Sequence, residues 1–135
     1  PAGMPAPLVL DVLKGPWPQG PFDAVFSANT AHIMPWAGVC AMFAGVGRIL
    51  ARGGCFCLYG PFMLDGKHTA PSNERFDLGL RQQDPSMGVR DMADIDALAR
   101  AEGLTPEQRQ PTPANNFMLV FRRQDSATAL GTGLD

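Results

Sequence analysis

The chain has 135 residues, 45% of them hydrophobic and 18% charged, which fits one globular domain or slightly less and is too apolar for a disordered chain. Eleven Lys and Arg against thirteen Asp and Glu leave a net charge of −2, which argues against a nucleic-acid partner held by bulk positive charge. No apolar run approaches the roughly 18 residues that span a bilayer, residues 1–7 lack the marks of a signal peptide, and three cysteines fit a reducing cytoplasm better than a disulfide scaffold.

Pro and Gly are abundant but sit between periodic segments, where they punctuate. Residues 1–7 read as a loop, and 124–135 as a flexible tail with few large apolar residues. Leu8 to Val12 is a short apolar run broken by Asp11 and is predicted to be a buried strand. Phe22 to Ala28 is a second strand. Its centre, Ala24-Val25-Phe26, does not alternate, so both faces are expected to be covered. Pro35 to Ala51 is the best helix, with Trp36, Val39, Cys40, Phe43, Val46 and Leu50 on one stripe. Trp36 is expected to anchor it to the sheet, and Gly53-Gly54 to end it. Gly45-Val46-Gly47 lies inside this helix and reads as a site of close packing rather than a ligand loop.

Cys55 to Tyr59 is a third strand, stopped by Gly60-Pro61. Cys55 and Cys57 share one face of it and match no zinc spacing, so they and Cys40 read as buried small apolar side chains. Ser72 is placed to cap a helix to Gln83 with Phe76, Leu78 and Leu80 as its apolar members. Asp91 is placed to cap another, to Glu102, with Ile95, Leu98 and Ala99 inward and Gly103 closing it. Leu104 to Gln110 and Asn116 to Arg123 read as an antiparallel hairpin. Apolar strands alternating with helices make an α/β sheet.

Several stretches resemble class I methyltransferases that use S-adenosylmethionine (SAM). Phe22-Asp23-Ala24-Val25-Phe26 looks like that fold's fourth strand, and Arg48-Ile49-Leu50-Ala51-Arg52-Gly53-Gly54 like the segment before its fifth. More narrowly, Asn29-Thr30-Ala31-His32-Ile33-Met34-Pro35-Trp36, Leu58-Tyr59-Gly60-Pro61-Phe62, His68-Thr69-Ala70-Pro71-Ser72-Asn73-Glu74 and Pro113-Ala114-Asn115-Asn116 are similar to the DUF938 family of methyltransferase-like proteins. The resemblance covers residues 8–123. It implies a partial Rossmann-like class I methyltransferase fold with strands three to seven present, the last antiparallel, and the first two missing. The chain then resembles the C-terminal part of such a domain.

The sheet order of that fold, 3-2-1-4-5-7-6, implies a 4-5-7-6 sheet here, with the Phe22 strand left as an exposed edge. Self-association, or pairing with an N-terminal segment, is expected through it. The resemblance also implies SAM as cofactor, while the lack of a basic patch or peptide groove points to a small-molecule acceptor and the composition to a cytoplasmic protein without nucleic-acid or membrane partners. The glycine-rich turn that cradles SAM is not recognisable in the sequence, so the chain alone is expected to bind SAM weakly or not at all. The rival reading is a non-catalytic binding or assembly module with an open sheet edge.

Candidate residues follow from place. Asp11 matches the acid that contacts the adenine amino group, or it bonds its own loop. Asn29 and His32 follow the fourth strand at the edge where open α/β sheets bind ligands. Asn29 is a cofactor candidate. His32 is a base or cofactor contact, or a loop-ordering histidine. Tyr59 ends the fifth strand at that edge and is a catalytic candidate, against core packing. His68 (catalytic), Asn73 and Glu74 (substrate-binding) lie where methyltransferases wall the acceptor pocket, although Ser72 and Glu74 equally suit a helix N-terminus. Asn115 and Asn116 either approach the site from the hairpin or serve its turn. No metal ligands are assigned.

Overall fold

The computed structural model describes residues 15–124. The expected strand Leu8 to Val12, with Asp11, lies outside the described residues, as do residues 1–7 and most of the expected tail.

Four long strands form one sheet: β1 (Phe22–Ala28), β2 (Leu50–Gly60), and a hairpin of β5 (Leu104–Thr112) and β6 (Asn116–Arg123). Two short strands, β3 (Met63–Leu64) and β4 (Lys67–His68), pair by themselves. The sheet order is β1-β2-β6-β5. β1 runs parallel to β2, whereas β6 runs antiparallel to both β2 and β5. That is the 4-5-7-6 order and polarity of a class I methyltransferase. A helix, α1 (Trp36–Ile49), makes the crossover between the parallel strands, as such a pair requires.

The register explains the core. Val25 pairs with Phe56 and Phe56 with Phe121, so the three share one face of the sheet. Phe43 of α1 meets Phe56 and Phe121 edge-on, with ring centroids 5.3 Å and 5.5 Å away. Val39 and Val46 of α1, and Met92, Ile95 and Ala99 of α3 (Met92–Ala101), fill in around them. Each aromatic pair adds about 0.5–1.5 kcal/mol beyond area burial. The opposite face carries Phe26, Cys57 and Val120 in one row and Ala28, Tyr59 and Met118 in the next. Among the described residues nothing buries it: Phe26 is 63% exposed. Only one face of β1 is covered, not both, because both helices flanking the core pack on the other side.

Other expectations change in detail. Helix α1 stops at Ile49, and Leu50 already has the extended φ/ψ of β2. Gly53-Gly54 therefore does not cap the helix. It lies in a bulge of β2, where Gly53 takes φ 78° and a Cβ on Gly54 would stand 2.9 Å from the carbonyl oxygens of Asp23 and Ala51. Trp36 does not anchor α1 to the sheet. It is 39% exposed, with the Arg90 guanidinium 5.6 Å from its ring. The residue that seats the helix is Trp17. Its indole lies so close to Gly45 that a Cβ there would come within 2.1 Å of the ring. The Gly45 reading thus holds, and close packing is the reason.

Helix α2 (Pro71–Gln83) begins with Pro71 at its first turn, and Ser72 does not cap it. Its inward residues are Asn73, Asp77 and Leu80, whereas Phe76 and Leu78 are exposed. In α3 the Asp91 cap is as expected: its carboxylate accepts from Ala93 N–H at 2.9 Å. The three cysteines are free and half-buried rather than buried. Among the described residues no helix is long and apolar enough to cross a membrane.

Candidate functional site

Because β1 and β2 are parallel, their carboxyl ends open on the same edge, and the chain leaves both there in turns. Asn29 follows β1 in the left-handed region, φ 57°, which Asn tolerates better than most residues. Its N–H donates to the Tyr59 carbonyl at 2.8 Å, extending the ladder by one bond. Ser27 and Thr30 hydroxyls bond at 2.7 Å across the turn.

His32 is 6% exposed, with its ring edge-on to Phe76 of α2 at 5.3 Å. Its carbonyl accepts from Gly88 N–H at 3.0 Å. Burial first, and the Arg90 charge second, push its pKa below the ordinary 6.5, so the imidazole is neutral at pH 7. Gly60 ends β2 between these residues: a Cβ there would lie 3.7 Å from Asn29 Oδ1 and 3.8 Å from His32 Nδ1.

Tyr59 points to the open face, its hydroxyl accepting from Asn116 Nδ2 at 3.0 Å. Hydrogen bonds from Asn116 and then Thr112 lower its pKa from the ordinary 10. A phenol oxygen that accepts in this way keeps its own proton free to donate. The hairpin tip that delivers Asn116 is strained: Ala114 and Asn115 have φ 66° and 61°. Asn73 of α2 pins that tip, its amide donating to Asn115 O at 3.0 Å and to Thr69 Oγ1 at 3.3 Å.

His68 sits on β4 behind α2. Its Nε2 lies 3.2 Å from Asp77 Oδ2, and its Nδ1 is buried without a partner among the described residues. Asp77 Oδ1 also accepts from Val89 N–H at 2.8 Å and Arg81 Nε at 3.1 Å. Glu74 stands apart, exposed on the first turn of α2, where its charge complements the helix dipole.

The structure thus brings Asn29, His32 and Tyr59 to one edge and ties Asn73 to it through the hairpin. His68 joins them only through α2, and Asp11 lies outside the described residues. Two residues escaped the sequence reading. Asp77 had a weak signal, the i,i+4 spacing to Arg81. Arg90 had none: its role is to donate to the carbonyls of Ala31, Met34 and Ser86, which only the fold brings together.

The family described as "Protein of unknown function (DUF938)" matches residues 2–123. The chain belongs to the DUF938 family. DUF938 shares its fold here with solved methyltransferases. Human N-acetylserotonin methyltransferase in complex with SAM superposes with a TM-score of 0.74 at 16% identity, over 85% of this chain and 32% of that one. An O-methyltransferase family 2 protein from Planctomyces limnophilus, in complex with apigenin, gives 0.73 at 17% identity, over 84% and 33%. The SAM-dependent methyltransferase SibL, in its apo form, gives 0.70 at 18% identity, over 87% and 35%. This chain therefore spans about a third of the length of each of these proteins. At such identities the likeness shows the fold.

Proposed function

We propose that this DUF938 chain forms the acceptor side of a SAM-dependent methyl-transfer site for a hydroxyl group on a small molecule. The gathering of Asn29, His32 and Tyr59 at the carboxyl edge of a 4-5-7-6 sheet carries this reading. SAM, when bound, supplies an electrophilic methyl group. Asn29 is the described residue that would touch it, with Asp11 as the expected second contact. The glycine cradle is not among the described residues, so their fit is to the acceptor and not to the whole cofactor.

The chemistry of the edge suits a hydroxyl. His32, neutral at pH 7, takes the proton when the acceptor O–H breaks. The free Tyr59 O–H donates to the alkoxide or phenolate left behind. Asn73 holds the hairpin tip, and so keeps Asn116 on Tyr59. His68, oriented by Asp77, stands behind this wall. A nuclear magnetic resonance titration of the chain with SAM tests the reading. Any shifts are expected at Asn29, His32, Tyr59, Gly60 and Asp11, with affinity weaker than about 100 μM. Low-micromolar affinity or shifts centred elsewhere overturn it.

A second reading has its own observation. Within the described residues β1 is an edge strand that exposes Phe22 and Phe26. An apolar edge of this kind recruits another strand. The chain then serves as an assembly module, pairing with a second copy or with an N-terminal segment. Light scattering that shows a lone monomer at high micromolar concentration removes the self-pairing form of this reading.

A further inference from the structure

On the helix-covered side of the sheet lies a cavity of about 730 Å³, within the roughly 300–1,000 Å³ of small-molecule sites. None of Asn29, His32, Tyr59, His68, Asn73 and Glu74 lines it. Its walls come from all three helices: Trp36 from α1, Arg81 from α2, Asp94 and Leu98 from α3, with Arg90 and Asp91 from the loop between α2 and α3. The indole of Trp36 is partly exposed and Leu98 is half-buried, so the cavity has apolar surface to offer.

The charges are arranged unusually. Two guanidinium groups and two carboxylates face one space, yet among the described residues no ion pair joins Arg81 or Arg90 to Asp91 or Asp94. Three of the four are engaged elsewhere. Arg90 is fixed by three backbone carbonyls, with Nε on Ala31 O and Nη2 on Met34 O and Ser86 O. That leaves its Nη1 hydrogens without an acceptor among the described residues. Among the described residues Arg81 engages Asp77 through Nε alone and keeps both Nη groups. Asp91 takes the N–H of Ala93 at 2.9 Å and of Gly66 at 2.5 Å. Asp94 sits on the first turn of α3 and has no hydrogen-bond partner among the described residues. After burial, the neighbouring Arg81 charge is the next influence that lowers the Arg90 pKa, so the two cations repel across this space.

Opposite charges kept apart around an apolar-walled cavity are complementary to a ligand that carries both signs. A purely anionic ligand meets Asp91 and Asp94, and a purely cationic one meets Arg81 and Arg90. We propose that this cavity binds a small zwitterion with a flat apolar side group, of which an aromatic amino acid is the simplest form. Its carboxylate lies on the Arg81 and Arg90 forks, its ammonium on Asp94, and its side group against Trp36 and Leu98. This inference does not rest on the methyl-transfer reading and stands or falls separately.

The test compares L-phenylalanine, 3-phenylpropionate and phenethylamine, which share a ring and differ in charge, by calorimetry and tryptophan fluorescence. L-phenylalanine is expected to saturate the protein, with each singly charged analogue about tenfold weaker, the size of one partly screened charge contact. Trp17 and Trp36 are the two tryptophans, so Trp36→Phe removes a fluorescence change that arises in the cavity. Asp94→Asn, at an exposed position, brings L-phenylalanine and 3-phenylpropionate to within about threefold of each other. The proposal is overturned if L-phenylalanine does not saturate the folded protein. Equal binding of all three compounds overturns it too, as does binding that Trp36→Phe and Asp94→Asn leave unchanged.

Discussion

The carboxylate of Asp77 on α2 holds the imidazole of His68 on β4, Oδ2 lying 3.2 Å from Nε2. The same carboxylate accepts from the Val89 backbone and from Arg81. One buried side chain therefore ties together β4, α2 and the loop before α3. Asp77→Ala leaves the Val89 N–H unsatisfied and frees the imidazole. A loss of about 2–4 kcal/mol is expected in urea unfolding, because removing one member of a buried charged network costs more than its net contribution. A loss under about 0.5 kcal/mol would mean that the network does not hold these elements together.

The lowered pKa of His32 makes stability depend on pH in a set direction. The folded state resists protonation that the unfolded chain accepts at 6.5. Stability from this residue is complete above pH 6.5 and drains away as pH falls from there through the lower folded-state pKa. His32→Gln should flatten that part of the stability–pH curve. A His32 resonance that titrates at or above 6.5 contradicts the account.

Tyr59 is the only tyrosine, so its ionisation can be followed by ultraviolet absorbance without ambiguity. Asn116→Ala removes the first of the two hydrogen bonds that hold its pKa down. The titration should move up toward 10 in the variant. An unchanged curve would show that the hairpin does not deliver Asn116 to the phenol.

Gly45→Ala pits two effects against each other. Alanine is favoured over glycine in a helix by about 1 kcal/mol. The new methyl, however, meets the Trp17 ring at 2.1 Å, and overpacking of this kind costs about 1–3 kcal/mol. A contact that short cannot be absorbed without moving the indole. The expected result is a net loss of stability with a red-shifted tryptophan emission, and a stabilised variant would contradict it.

Hydrophobic pattern made the four long strands and α3 legible, but not β3 and β4, because Phe56, Leu58, Leu119 and Phe121 alternate and Asp91 stands where a cap belongs. It failed on α2. The residues that helix buries are Asn73, Asp77 and Leu80, two of them polar, and periodicity of apolar residues cannot see them. The edge residues Asn29, His32 and Tyr59 were readable because the end of a parallel strand is itself a position of meaning. The bond from Asn116 to Tyr59 depends on a hairpin tip folding back, which no local spacing encodes.

The apolar residues of α2 give a contrast of their own. Leu78→Ser, at a 58% exposed site, should change stability by less than about 0.5 kcal/mol, whereas Leu80→Ala, two residues on and 7% exposed, should cost about 2–3 kcal/mol. Equal costs would contradict the burial of Leu80 and the exposure of Leu78.

The most direct measurement of the central claim is the rate of S-adenosylhomocysteine release from SAM with small hydroxyl-bearing acceptors, by the DUF938 protein that carries these residues, with and without His32→Gln. The account predicts turnover that the folded variant loses by roughly 10²–10⁴-fold, the usual share of a positioned base. Turnover within about twofold of the parent in the folded variant, or no turnover by the parent with any such acceptor, would contradict it.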